Sequence, residues 1–213
     1  MLTLWGHRGW GSTLVEAQLD WHGMPFRMID VQPLKNADDK ARLVEVNPLA
    51  QLPTLVMADG TIMTESAAIT LLIADWAAAA GAGGHDVLVP PPGDPDRQRF
   101  LRWLVFLIAN VYPTFTIGDD VSRWISAEAP QAELLARSNA YRERMWRLVE
   151  AAATPDPWFL GRRFSALDIY VCVMTHWTPR RGWFAEHCPT LTRIAQAADV
   201  VPKLAATWKR NFG

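Results

Sequence analysis

Residues 47–69 read NPLAQLPTLVMADGTIMTESAAI, and three backbone signals follow one another there in a fixed order. Pro53 opens the apolar run Thr54 to Met57. Proline cannot donate to a ladder but is tolerated at a strand's first residue, and it pushes Leu52 toward an extended conformation. Asp59-Gly60 lies between two β-prone runs, the pattern of a tight hairpin turn. Glu65-Ser66 follows where the period turns helical, with Ile69, Leu72, Ile73 and Trp76 at i, i+3, i+4 and i+7. A helix start with a hydroxyl and unpaired N–H groups is an anion site. The stretch therefore predicts loop, hairpin and helix, with polar groups gathered where the helix begins.

Outward from this unit, Leu2 to Trp5 reads as a strand, Thr13 to His22 as a helix ended by Gly23, and Phe26 to Val31 as a second strand. Strand, helix, strand, hairpin, helix is the order of an α/β thioredoxin-like domain, a small mixed sheet with helices on its faces. Periodicity fails from Gly81 to Asp96, GAGGHDVLVPPPGDPD, where Gly and Pro crowd together. The expected organisation is residues 1–80 as one domain, 81–96 as linker, and 97–213 as an all-α C-terminal helical domain. Within the latter, Arg97 to Val111, Gln131 to Ala153, Ala166 to Trp177 and Leu191 to Ala198 have helical spacing. Ser165-Ala166-Leu167-Asp168 fits a capping box, with Phe164 and Ile169 placed for a hydrophobic staple. Pro113 is expected to kink or end the first of these helices.

Composition narrows the function classes. A chain of 213 residues with a formal net charge of −1 has no electrostatic footprint for nucleic acid or an anionic membrane. No run approaches the ~20 uninterrupted apolar residues of a spanning helix, and MLTLWGHRGWG lacks the basic start and apolar core of a signal peptide. Only Cys172 and Cys188 are present, which suits a reducing compartment, so a cytoplasmic location is expected. His176, His187 and Cys188 match no zinc spacing, and no metal is expected. Among the eleven tryptophans, Trp103, Trp146, Trp177 and Trp208 fall on helical stretches and read as core.

The order Asn47-Pro48, Leu52-Pro53, hairpin, Glu65-Ser66 resembles the glutathione-binding half of the glutathione transferase family, and the Ser165 box resembles one in that family's second domain. The resemblance covers essentially the whole chain. It implies a cis Pro53, pairing of the Leu52 backbone with the cysteinyl part of glutathione, and Glu65 and Ser66 at its γ-glutamyl end. Gln51, and Lys35, Lys40 or Arg42, are placed to meet the glycyl end, or equally to be solvated polar residues. It also implies a homodimer that uses glutathione as co-substrate and joins its thiolate to a small electrophile. Two other readings remain open: a glutathione-dependent isomerase or dehalogenase, since the family's serine-type isomerases read Gln-Val-Pro where this chain has Gln51-Leu52-Pro53, and a non-catalytic binding member of the fold.

In the family a hydroxyl or thiol near the end of the first strand or start of the first helix donates to the glutathione sulfur. Tyr112, Tyr141, Tyr170 and both cysteines come after the linker, so no Tyr or Cys is available in the first domain, and a tyrosine-type or cysteine-type active site is excluded on this reading. Gly11 falls where bacterial cysteine-type members carry Cys, and Ser12 beside it is the expected donor. Ser12 is equally a natural N-cap for a helix beginning at Thr13. His7 is the second candidate, or a solvated loop residue beside Arg8. The second-substrate pocket is expected from Trp10, Asn110, Tyr112 and Phe115, with Trp124 nearby.

Overall fold

Four short strands, β1 (Leu2–Gly6), β2 (Phe26–Asp30), β3 (Thr54–Val56) and β4 (Ile62–Met63), form one mixed sheet in the order β2-β1-β3-β4. The computed structural model describes residues 1–213, the side chain of His85 excepted. Strand β1 (Leu2–Gly6) leads through helix α1 (Ser12–Trp21) to β2 (Phe26–Asp30), which returns parallel to it with Leu4 opposite Met28. A parallel return needs a crossover of this kind. Helix α2 (Ala37–Val44) and an irregular loop precede β3 (Thr54–Val56), which runs antiparallel to β1 with Trp5 opposite Thr54. The Asp59-Gly60 turn joins β3 to β4 (Ile62–Met63), and helix α3 (Ser66–Ala79) follows at once. The predicted thioredoxin-like arrangement is therefore present.

The remainder is helical: α4 (Arg97–Phe106), α5 (Tyr112–Asp119), α6 (Glu128–Ala152), α7 (Ala166–Met174), α8 (Arg181–His187), α9 (Pro189–Asp199) and α10 (Ala205–Phe212). Helix α1 shows why both halves hold together. Its Val15 and Leu19 pack with Leu4, Leu55, Ile69 and Ile73 against the sheet, while Leu14, Ala17 and Trp21 join the core of the helical half. A helix apolar on both faces is one buried on both faces. Between the halves, Gln18 donates to the Leu14 carbonyl at 2.8 Å and to the Thr70 hydroxyl at 3.0 Å, and that hydroxyl meets Tyr170 Oη at 3.3 Å.

The stretch 81–96 is docked rather than loose. Leu88 and Val89 are buried, the Leu88 carbonyl accepts from the Ala166 N–H at 2.9 Å, and Asp94 pairs with Arg163 at 2.5 Å. Continuous with α4, Leu107–Val111 form a π-helical turn that leads directly into α5, with Pro113 in its first turn. Pro113 thus does not end the run; it stands just past the π turn, inside a helix that continues to Asp119. The joined run Arg97–Asp119 is long and apolar enough to cross a membrane by length and composition, a feature the sequence reading lacked. Its buried face, Phe100, Trp103, Leu104, Leu107 and Val111, belongs to the core of the helical half.

Candidate functional site

The loop before Pro53 is built around Asn47, which is only 3% exposed. Its amide donates to the Gln51 carbonyl at 3.0 Å and the Thr54 hydroxyl at 2.9 Å, and its oxygen accepts from the Leu49 N–H at 3.1 Å. A buried amide whose groups are paired in this way fixes one loop shape. The Leu52–Pro53 peptide is cis. Neither the Leu52 N–H nor its carbonyl is bonded to protein among the described residues, which leaves a bare length of backbone edge facing a cleft.

Glu65 stands beside that edge with φ +63°, in the left-handed region. For a residue with a Cβ this costs about 1 kcal/mol or more and persists where surroundings impose it, commonly at binding sites. Its carboxylate has no protein partner among the described residues. Ser66 beside it, only 6% exposed, is the first residue of α3, where that helix's free N–H groups point. The Thr70 hydroxyl, donating to the Ser66 carbonyl at 2.8 Å, ties this start to the Gln18 amide and the Tyr170 hydroxyl, which both meet Thr70.

The helical half supplies the opposite wall. The π turn adds a residue to the helix and aims Ile108, Tyr112, Phe115, Thr116 and Asp119 at the cleft; such turns are frequent at functional sites. Phe115 stands edge-on to Trp177 at 5.0 Å, and the Arg142 guanidinium lies over the Phe115 ring, 4.7 Å from its centroid. The floor between the walls is the loop after β1, clamped by the helical half: Asn211 Oδ1 accepts from the Gly9 N–H at 3.0 Å, and Trp177 donates to the Gly9 carbonyl at 2.7 Å. The cleft encloses about 840 Å³, within the ~300–1,000 Å³ of small-molecule sites.

Trp10, Gln51, Leu52, Pro53, Glu65, Ser66, Tyr112 and Phe115 all line this cleft, as do Lys35 and Trp124. Five expected residues do not. Ser12 is fully buried; helix α1 starts on it rather than after it, with Gly11 at the N-cap, so its hydroxyl turns back to accept from the His7 N–H at 3.0 Å and donate to the His7 carbonyl at 3.1 Å. His7 lines a separate depression of about 490 Å³, its Nδ1 paired with Asp30 at 2.6 Å. Asn110 falls off the cleft-facing stripe because the π turn shifts the register, and its oxygen accepts from the Tyr141 hydroxyl at 3.1 Å. Lys40 and Arg42 lie outside the cleft, Arg42 being paired with Asp39 at 3.2 Å.

Trp177, read from sequence as core, and Arg180, not singled out at all, also line the cleft. Helix α7 stops at Met174, which turns Trp177 out of the helix, and Arg180 sits at φ +76°. A Thr-Pro pair at 178–179 after the predicted helix was the available sequence signal.

His176 on the same rim stacks on Phe212 at 3.8 Å with the rings 6° from parallel, and its Nε2 is buried with no partner among the described residues. Burial, assisted by the charge of Arg181 and opposed by Asp199, lowers its pKa from 6.5 to about 4. Between those values the unfolded chain takes up a proton that the folded chain refuses, so this contribution to stability is lost as pH falls. His176→Phe is expected to remove that loss. The thermal midpoint of the variant should gain on that of the unmodified protein as pH falls from 6.5 toward 4; a difference independent of pH would show that His176 is not the group responsible.

The family model "Glutathione S-transferase, N-terminal domain" matches residues 14–76. The uncharacterized GST-like protein YncG of Escherichia coli (strain K12) is 36% identical, over 99% of this chain and 98% of its own. Glutathione S-transferase GstA of Escherichia coli O157:H7 is 26% identical over 73% of this chain and 71% of its own. Among solved structures, a glutathione transferase homolog from Sulfitobacter with bound glutathione superposes with TM-score 0.84 at 24% identity, covering 98% and 97% of the two chains, and shows a shared fold. A sphingomonad glutathione S-transferase complexed with glutathione gives TM-score 0.73 at 28% identity, over 97% of each chain.

Proposed function

The chain belongs to the glutathione S-transferase family, and from that premise we propose that it binds glutathione in the cleft between its two halves and joins the thiolate to a small electrophile. The observation that carries this reading is the bare Leu52 edge set beside Glu65 and Ser66. An extended peptide pairs with such an edge through its backbone, as an added strand does. The free amine and carboxylate of a γ-glutamyl group match a carboxylate, a hydroxyl and the positive end of a helix, and Lys35, one of four cations on the cleft wall with Arg8, Arg123 and Arg180, is available to the glycyl carboxylate.

The aromatic wall of Tyr112, Phe115, Trp177 and Trp124 then forms the second compartment, suited to a flat apolar electrophile. We assign the enzyme to the cytoplasm and, as the family resemblance implies, to a homodimer. A generic aryl halide tests the function. Glutathione-dependent release of halide, saturable in both substrates, is the expected result. A protein that binds glutathione yet gives no product above the uncatalysed rate would instead be a binding module.

A further inference from the structure

We propose that the hydroxyl of Tyr112, delivered to the cleft by the helical half, is the hydrogen-bond donor that holds the glutathione sulfur as a thiolate. The inference rests on the function proposed above, since it requires a thiol at this point. The decisive geometry is at Gly11. A Cβ built on that residue would lie 2.0 Å from the Tyr112 oxygen and 3.0 Å from the Leu52 carbonyl oxygen. The phenol therefore fills the space where a side chain at the start of α1 would stand, immediately beside the Leu52 edge that pairs with the cysteinyl residue. The absence of a side chain at position 11 is what admits it.

The hydroxyl is aimed and free. Its ring is held edge-on to Trp177 at 5.6 Å and to Phe115 at 6.4 Å, while Trp177 is itself bonded to the Gly9 carbonyl of the floor loop. The Tyr112 oxygen has no protein partner among the described residues although it lines the cleft. The hydroxyls in the first turn of α1 are already engaged, Ser12 with the His7 carbonyl and Thr13 with Asn211 at 2.8 Å. Burial first, then the neighbouring Tyr170 phenol and the Asp119 and Glu65 carboxylates, raise the Tyr112 pKa above the usual phenol range. Tyr112 accordingly remains an O–H donor throughout the range in which a thiol ionises.

In this role Tyr112 neither takes nor supplies the reacting proton. The thiol proton passes to solvent, the phenol O–H donates to the sulfur that remains, and the N-terminal end of α1 adds positive potential. The thiolate lone pair forms the carbon–sulfur bond as the leaving group departs with its own bonding pair.

The test is the pH titration of bound glutathione, followed by thiolate absorbance in the ultraviolet, in the unmodified protein and in Tyr112→Phe, Gly11→Ala and Ser12→Ala. In the unmodified complex the thiol should titrate below its free value of about 8.5. Tyr112→Phe keeps the ring packing and should raise that titration by about one to two units, the scale of one charge-assisted hydrogen bond. Its turnover at neutral pH should fall about tenfold or more, with glutathione affinity within a few-fold. Gly11→Ala should raise the titration too, because its methyl displaces the hydroxyl with the phenol still present. Ser12→Ala should leave it unmoved. An unchanged titration in Tyr112→Phe overturns the inference even though glutathione binds, as does a raised one in Ser12→Ala alone. Failure of the unmodified protein to bind glutathione overturns the underlying function instead.

Discussion

Replacing Glu65 and Ser66 together by alanine is expected to abolish the stabilisation that glutathione confers, with the unliganded fold left nearly as stable as before. A ligand that binds only the folded state at about a hundredfold excess over its Kd adds ~2.7 kcal/mol, or about 5–10 °C in midpoint for a chain of this size. Both side chains face the cleft and neither is part of the apolar core. Alanine keeps a Cβ at position 65, so the cost of the φ +63° conformation is the same in both proteins and does not enter the comparison. The check is thermal denaturation of the two proteins with and without millimolar glutathione. An undiminished shift in the double variant would move the ligand elsewhere.

The largest loss of stability is expected at Asp168, far from any ligand. Its carboxylate is fully buried and accepts from the Phe159 N–H at 2.7 Å, the Ser165 N–H at 2.8 Å and the Ser165 hydroxyl at 2.9 Å. It thus closes the capping box of α7 and also ties down the chain ahead of it. Burial, opposed by those donors, raises its pKa to about 6, so it is ionised at neutral pH. Asp168→Ala strands buried donors, each costing about 1–3 kcal/mol when left without a partner. We expect a total of about 3–5 kcal/mol, a large part of the ~5–15 kcal/mol available to a folded domain. Ser165→Ala removes the hydroxyl alone and should cost only about 1–2 kcal/mol. Denaturant midpoints at neutral pH test the pair; an Asp168→Ala protein that loses less than Ser165→Ala would show that the carboxylate does not carry the cap.

What was legible in the sequence follows from the range of the interactions. The hairpin, the Glu65-Ser66 helix start and the Ser165 box are local patterns, set by residues a few positions apart, and each appears where its spacing places it, while the cis Leu52–Pro53 bond is as the family resemblance implied. Helix α2 was missed because its eight residues, ADDKARLV, bury only Leu43 and leave almost no apolar stripe, although Asn36 at its cap was a readable signal. Ser12 was misplaced by a single residue: with the helix beginning on it rather than after it, the hydroxyl points inward to His7. Asn110 was displaced by the π turn, which no apolar periodicity announces.

The role inferred for Tyr112 lies beyond any local reading. The sequence reading ruled out a tyrosine-type active site because the first domain has no Tyr, and the role inferred for Tyr112 reverses that, since the cleft is built from both halves and Gly11 and Tyr112 meet only after the chain has folded. Trp177 likewise looked like core by helical spacing and became cleft wall because α7 stops three residues before it.

Calorimetric titration of the unmodified protein with reduced glutathione tests the central claim most directly, because every other expectation at the cleft presupposes that complex. The account predicts saturable binding of one glutathione per chain, lost in the Glu65→Ala, Ser66→Ala protein and retained in Tyr112→Phe. The absence of any saturable heat at millimolar glutathione, in a protein whose thermal midpoint the ligand also leaves unchanged, would contradict it.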